Sequence, residues 1–212
     1  MRSVRQRWLL ASSNQRKSAE MLAILRASDL PIDWQTLDDY PSMPGVEETG
    51  DSFEANAVLK AEAASSYSGL PAIADDGGLS VDALNGAPGV HSHRFLGEAT
   101  PMESKIAEIL RLLEGLSTAE RSCRFTCVVA ISVPGRSTVC RAGMLAGTIA
   151  LERRGAYGFG FDPIFQLPDG RCMAELEPQE KNRISHRSTA LRAVVEVLRQ
   201  IVRDHEAGNS YC

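Results

Sequence analysis

The chain reads as an α/β fold, on three observations. Short β-prone runs alternate with amphipathic helical segments through the first half, two long β-rich runs adjoin across a Pro-Gly turn, and a last amphipathic stretch closes the chain. At 212 residues, 43% hydrophobic and 24% charged, the composition is ordinary for a globular protein with a full core. A formal net charge of −4 argues against a general nucleic-acid binder, which is usually strongly basic. No apolar run approaches the roughly 20 residues of a membrane span. Arg2, Arg5 and Arg7 lead only into the brief Trp8-Leu9-Leu10-Ala11, too short for a signal-peptide core, so a cytoplasmic protein is expected.

Trp8 to Ala11 is the first expected strand. Ser12-Ser13-Asn14-Gln15-Arg16-Lys17 follows as a polar loop before a helix from Ser18 to Ala27, spaced by Met21, Leu22 and Leu25. Strand, hydroxyl-rich loop and helix together present backbone N–H groups to phosphate. The Gly-x4-Gly-Lys-Ser/Thr pattern is absent, so a capped helix start explains the loop as well. Ile32 to Leu37 is a second strand, and Tyr40 to Gly50 a Pro/Gly-punctuated loop carrying Glu47 and Glu48. Asp51-Ser52-Phe53-Glu54 reads as a helix start with Asp51 as cap and Glu54 completing a capping box. In that helix Phe53, Ala57, Lys60 and Ala64 share a face, with Asn56 beside them. Lys60 thus either points inward, where it needs an anionic partner, or snorkels from the edge of the stripe.

Ala72-Ile73-Ala74-Asp75-Asp76-Gly77-Gly78-Leu79 is an apolar run ending in two adjacent carboxylates and two glycines. It predicts a strand delivering negative charge to a bend. Adjacent strand residues face opposite ways, but a glycine bend can bring both carboxylates to one site. A divalent cation would reconcile the like charges, and a solvated acidic turn is the alternative. Leu79 to Leu84 continues extended. Gly86 to Arg94 is a loop whose His91-x-His93 pair lacks a third ligand nearby. Thr100-Pro101-Met102-Glu103 opens a helix to about Leu116, with Pro101 at its first position.

Arg124 to Val133 and Ser137 to Ile149 form a hairpin across Pro134-Gly135-Arg136. Gly155 to Pro163 alternates glycines with Tyr157, Phe159 and Phe161, opens no helix and is not a dinucleotide fingerprint; it is a base-stacking platform or a plain aromatic turn. Lys181-Asn182-Arg183-Ile184-Ser185-His186-Arg187 leads into a helix through Leu191, Val194, Val195, Leu198, Ile201 and Val202. A basic helix N-terminus opposes the macrodipole, which an anionic ligand would resolve. Cys123, Cys127, Cys140, Cys172 and Cys212 form no CxxC pair and read as core fillers in a reducing compartment. Lysines are few: Lys17, Lys60, Lys105 and Lys181 stand against 19 arginines, which marks them as places where a compact ammonium is wanted.

Taken in order, these blocks resemble the noncanonical purine nucleoside triphosphate pyrophosphatases, the inosine triphosphatase-like (ITP/XTP) family. The matching residues are Ser12-Ser13-Asn14 with Lys17; Glu47-Glu48-Thr49-Gly50 with Phe53, Asn56, Ala57 and Lys60; and Ala74-Asp75-Asp76 with Gly78-Leu79. They continue with Pro88-Gly89 and Arg94, Gly158 to Pro163, Glu180-Lys181, Ile184 to Arg187, and Ala190-Leu191, so that the match runs from about Leu10 to Leu198.

The resemblance implies one domain over 1–212, with frayed ends at about 1–7 and 207–212, built on an elongated mixed sheet with flanking helices in two lobes around a nucleotide cleft. It implies a homodimer that, with Mg²⁺, hydrolyses ITP, dITP or XTP to the monophosphate and pyrophosphate. By the family pattern Asp76 is the general base, and Asp75 with Glu48 or Glu47 holds the metal, which Asp76 also reaches. Ser12, Ser13, Asn14, Lys17, Lys60, Gly77 and Arg94 fall to the substrate, principally its triphosphate. Phe159, with Gly160, Phe161 and Asp162, falls to the base; Lys181, His186 and Arg187 read its 6-keto edge. Two positions depart from the family: Gly77 stands where Ser is usual, and Ser12-Ser13 where Thr-Gly is usual. The rival readings are a Maf-type pyrophosphatase, which the run Leu10 to Lys17 also resembles, and a nucleotide-binding protein without catalysis, which would have no need of the Asp75-Asp76 pair.

Overall fold

Residues 5–206 are described by a computed structural model; residues 1–4 and the expected frayed tail at 207–212 lie outside the described residues. The elements run β1 (Gln6–Leu10), α1 (Gln15–Arg26), β2 (Ile32–Thr36), α2 (Phe53–Ser68), β3 (Ala72–Val81) and α3 (Met102–Leu112). They continue with β4 (Ser122–Ser132), β5 (Val139–Ile149), β6 (Phe165–Gln166), α4 (Pro178–Ile184) and α5 (His186–Glu206). The strands form one sheet in the order β2-β1-β3-β4-β5-β6. It is mixed, as expected: β1 pairs in parallel with β2 and β3, while β5 and β6 are antiparallel. Among the described residues no helix is long and apolar enough to cross a membrane.

The chain divides into two compact units. One holds the described residues through Asp76, then Val128–Gly143 and those from Arg187; the other holds Gly77–Cys127 and Met144–His186. Each has its own core. In the first, Ala57, Ala61 and Ala64 of α2 pack with Leu9, Ala72, Ala74, Val128 and Ala130. In the second, Ile106, Ile109 and Leu113 of α3 join Leu79, Phe125, Phe165 and Met173, and the Phe125 and Phe165 rings stack 4.2 Å apart.

Strand β3 runs unbroken from Ala72 to Val81, so the bend expected at Gly77-Gly78 does not form. The glycines serve close approach instead. A Cβ at Gly77 would lie 2.3 Å from the Thr126 carbonyl oxygen, and one at Gly78 would lie 2.2 Å from Ser92 Oγ. Gly77→Ser, which supplies the hydroxyl that the family resemblance implies there, is therefore expected to cost about 1–3 kcal/mol of stability. Urea denaturation checks this, and a variant as stable as the parent would show that β4 yields.

Local chemistry moves several helix starts. α1 begins at Gln15 rather than Ser18, because Asn14 Oδ1 accepts from the backbone N–H groups of Arg16 and Lys17 at 3.1 Å each. The cap of α2 is Ser52, not Asp51; its Oγ accepts from the Ala55 N–H at 3.1 Å. Pro101 caps α3 instead of opening it. β1 starts at Gln6, so residues 6 and 7 are strand and not frayed. Ser185, in extended conformation, splits the basic block between α4 and α5. Cys123, Cys127 and Cys172 are buried thiols and Cys140 is half-buried; burial, helped by Asp82, pushes Cys123 up to about 12. Cys212 lies outside the described residues.

Candidate active site

Because successive strand residues face opposite ways, the two β3 carboxylates meet different partners. Asp75, its side chain 1% exposed, lies 3.4 Å from Lys17 Nζ and 3.5 Å from Arg187 Nε. Arg187 is itself buried, and its Nη1 donates to Glu20 Oε2 at 2.6 Å. Burial works against the charge on Asp75, but Lys17, Arg187 and Lys60 outweigh it and hold the carboxyl well below the usual carboxylate range. The basic start of α5 thus finds its counter-charges in Asp75 and Glu20, where the sequence pointed to an anionic ligand.

Asp76 is held from α2. Lys60 Nζ donates to its Oδ1 at 3.1 Å and to Glu48 Oε1 at 2.7 Å, while Asn56 Nδ2 donates to its Oδ2 at 3.3 Å. Lys60 is therefore the inward lysine, not the snorkelling one. Burial disfavours the charged Asp76; Lys60 and Lys17 pull the other way, but with Glu48 beside it the carboxyl ends above its ordinary value. Burial also opposes the Lys60 charge, and Asp76, Asp75 and Glu48 overcome it and raise the ammonium's pKa. Two neighbours in sequence thus shift in opposite directions, Asp75 below and Asp76 above the ordinary carboxyl value.

The other expected residues of this unit sort as follows. Ser12 is half-buried and its carbonyl accepts from Ser18 Oγ at 3.2 Å; Ser13 is exposed. Asn14 caps α1. Glu47 is exposed, whereas Glu48 faces Lys60. Among the described residues no group of three or more His, Cys, Asp or Glu could hold a metal. The expected set of Glu47, Glu48, Asp75 and Asp76 is therefore not gathered into one cluster, because β3 stays straight and Asp75 is committed to Lys17 and Arg187. The donor set that fits Mg²⁺ is the pair Glu48 and Asp76: hard oxygens facing one cation, and one or two carboxylates suffice when phosphates supply the rest.

In the second unit, Asp162 organises the aromatic turn. Its Oδ2 accepts from the Phe159 N–H at 2.8 Å and from Lys181 Nζ at 2.6 Å, and the ammonium lies 4.5 Å from the centre of the Phe159 ring. Gly158 takes φ +72°, and a Cβ there would meet Asp162 Oδ2 at 2.1 Å, so the turn requires glycine. Gly160 shares the turn, but Phe161 is a core residue only 5% exposed, which corrects its assignment to the base. The His186 ring stacks on Phe125 at 4.7 Å. Gly77 lies within β3, and Arg94 Nε donates to His91 Nδ1 at 3.1 Å in a loop. Lys105, buried in α3, donates to the His93 carbonyl. Lys181 and His186 lie in the second unit, and Arg187 lies with Asp75 in the first. Glu20 escaped the sequence reading, although Asn14, Lys17 and Glu20 fall at three-residue steps, a spacing that could have found it.

The Ham1 family model matches residues 8–197. The chain belongs to the Ham1 family. Among its Ham1 relatives, the dITP/XTP pyrophosphatase of Geobacillus kaustophilus is 46% identical over 195 residues, covering 92% of this chain and 95% of the relative. The dITP/XTP pyrophosphatase of Coxiella burnetii is 45% identical over 194 residues, covering 90% and 95%. Of solved Ham1 structures, that from Coxiella burnetii superposes with a TM-score of 0.84 at 43% identity, over 92% of this chain and 99% of that one. The Staphylococcus aureus Ham1 protein gives 0.82 at 36% identity, with the same coverage.

Proposed function

We propose that this Ham1-family chain hydrolyses noncanonical purine nucleoside triphosphates, ITP, dITP and XTP, to the monophosphate and pyrophosphate. One observation carries the reading: two adjacent buried carboxylates are held by separate cations, Asp75 by Lys17 and Arg187 and Asp76 by Lys60, in a chain 46% identical to a dITP/XTP pyrophosphatase. Water attacks the α-phosphorus, the bond from that phosphorus to the bridging oxygen breaks, and pyrophosphate leaves. Asp76 takes the proton of the attacking water, a task open to a buried carboxylate whose charge is offset by the Lys60 ammonium 3.1 Å away. Asp75, kept ionised, positions Lys17 and Arg187. Lys17 and Lys60 stand ready as cations for the triphosphate, with Ser12, Ser13 and Asn14 beside Lys17 in sequence.

Mg²⁺ would be held by Glu48 and Asp76, where it would neutralise charge on the phosphoryl oxygens. In the second unit, Phe159 offers its ring to the base, and Lys181 and His186 supply donors for a 6-keto oxygen. Donors aimed at an oxygen are left unpaired by a 6-amino group, a mismatch worth on the order of 10⁴-fold in favourable cases. We further assign the protein to the cytoplasm, as a homodimer.

Incubation with ITP, XTP, ATP and a pyrimidine triphosphate, with Mg²⁺ and with a chelator, tests the reading. Pyrophosphate is expected from ITP and XTP, little from ATP, and none after chelation. Orthophosphate as product, or ATP turned over as fast as ITP, overturns it. Light scattering of the purified protein tests the dimer.

A further inference from the structure

One fully buried amide joins Asp76 to the loop that carries Glu48. Asn56, in the first turn of α2, is 0% exposed. Its Oδ1 accepts from the Gly50 N–H at 2.8 Å while its Nδ2 donates to Asp76 Oδ2 at 3.3 Å. Position 50 is built for that contact: a Cβ on Gly50 would lie 2.7 Å from Asn56 Oδ1 and 2.7 Å from Ala55 Cβ. One turn further along the helix, Lys60 repeats the arrangement with charge, gripping Glu48 and Asp76 Oδ1. The helix thus clamps the acidic loop to β3 twice. The two clamps differ in one respect: the ammonium is also wanted by a triphosphate, and the amide is not.

We propose that Asn56 is a positioning residue that ties the Glu47-Glu48-Thr49-Gly50 loop to Asp76, fixing Glu48 and Asp76 relative to one another. This rests on the reading of Glu48 and Asp76 given above. An amide suits the place because it donates and accepts at once without adding charge. The uncharged tether keeps the pair in register when Lys60 turns to phosphate.

Two variants separate the bonds. Asn56→Asp keeps an acceptor for the Gly50 N–H but sets a second carboxylate against Asp76; Asn56→Leu keeps the volume and removes both bonds. Amide hydrogen exchange over residues 47–50 is expected to quicken in Asn56→Leu and to stay as in the parent in Asn56→Asp. With ITP, Asn56→Asp is expected to keep its KM and lose about 10- to 100-fold in kcat. Asn56→Leu is expected to lose kcat and to need more Mg²⁺ for half-maximal rate. Should Asn56→Leu fail to fold, Gly50→Ala crowds the same amide from the loop side and gives the same exchange readout. Unchanged exchange when the amide is removed or crowded, or an Asn56→Asp enzyme turning over at the parent rate, overturns the proposal. If the parent itself releases no pyrophosphate from ITP, the functional reading fails, and the exchange result still decides the tether.

Discussion

Asp76→Asn is expected to lower kcat for pyrophosphate release from ITP by about 10²- to 10⁴-fold, and at the same time to raise the stability of the fold. The two effects share a cause. Burial, opposed by Lys60 but aided by Glu48, makes the ionised Asp76 costly, so its folded pKa lies above the ordinary value of 3.8. A carboxyl with a raised folded pKa binds its proton more tightly in the native state. Ionisation therefore penalises the fold progressively as pH rises from 3.8 through the folded pKa, and fully above it. The amide of Asn carries no such penalty, and Lys60 keeps Glu48 as partner. Thermal unfolding at neutral pH, in chelator and without nucleotide, is expected to give a higher Tm, by about 2–4 °C for each kcal/mol relieved. The gain is expected to vanish in acid below 3.8. A lower Tm for Asp76→Asn at neutral pH would contradict this account of the site.

Asp75→Asn is expected to behave in the opposite way. Asp75 is fully buried and its charge is matched by Lys17 and Arg187, so removing it takes the carboxylate from Lys17 and leaves the buried Arg187 with Glu20 in place of two acidic neighbours. Breaking a buried pair in this manner typically costs about 3–5 kcal/mol. The sign with pH is also reversed. The folded pKa lies below the ordinary 3.8, so the stabilisation is complete above that value and is lost as pH falls from there toward the folded pKa. Urea titrations of parent and variant at pH 7 are expected to differ by the full amount, and to converge as the titrations are repeated in increasing acid. A constant difference at all pH values would show that lost packing, not lost charge, is responsible.

The order of elements, the face on which Lys60 lies and the burial of the Asp75-Asp76 run were readable from sequence because they depend on short-range patterns. Helical spacing placed Lys60 with Ala57 and Ala64, and that face is the buried one. The Asp75-Asp76 run ended an apolar strand, and both carboxylates are buried in it. The glycine signals were less transparent. Gly-Gly after two aspartates has the composition of a turn, yet it lies in a continuous strand, since what glycine supplies there is room for Thr126 and Ser92. Those neighbours are 49 and 14 residues away along the chain, beyond the reach of any local pattern. The aromatic run was read too generously for the same reason. Phe159 and Phe161 alternate alike in sequence, but only the fold turns Phe161 into the second core.

The sequence by itself determined that this is an α/β protein with two adjacent carboxylates, a lysine along the apolar stripe of a helix and a basic entry to its last helix, since periodicity and residue chemistry are local properties. Tertiary structure alone decided which cation meets which carboxylate. Asp75 and Asp76 are one residue apart and chemically identical, but strand alternation sends one to Lys17 and Arg187 and the other to Asn56 and Lys60. Burial pushes the proton affinity of both carboxyls up, and only at Asp75 do the neighbouring cations outweigh it, so the balance between burial and nearby charge, and not the residue type, separates the two.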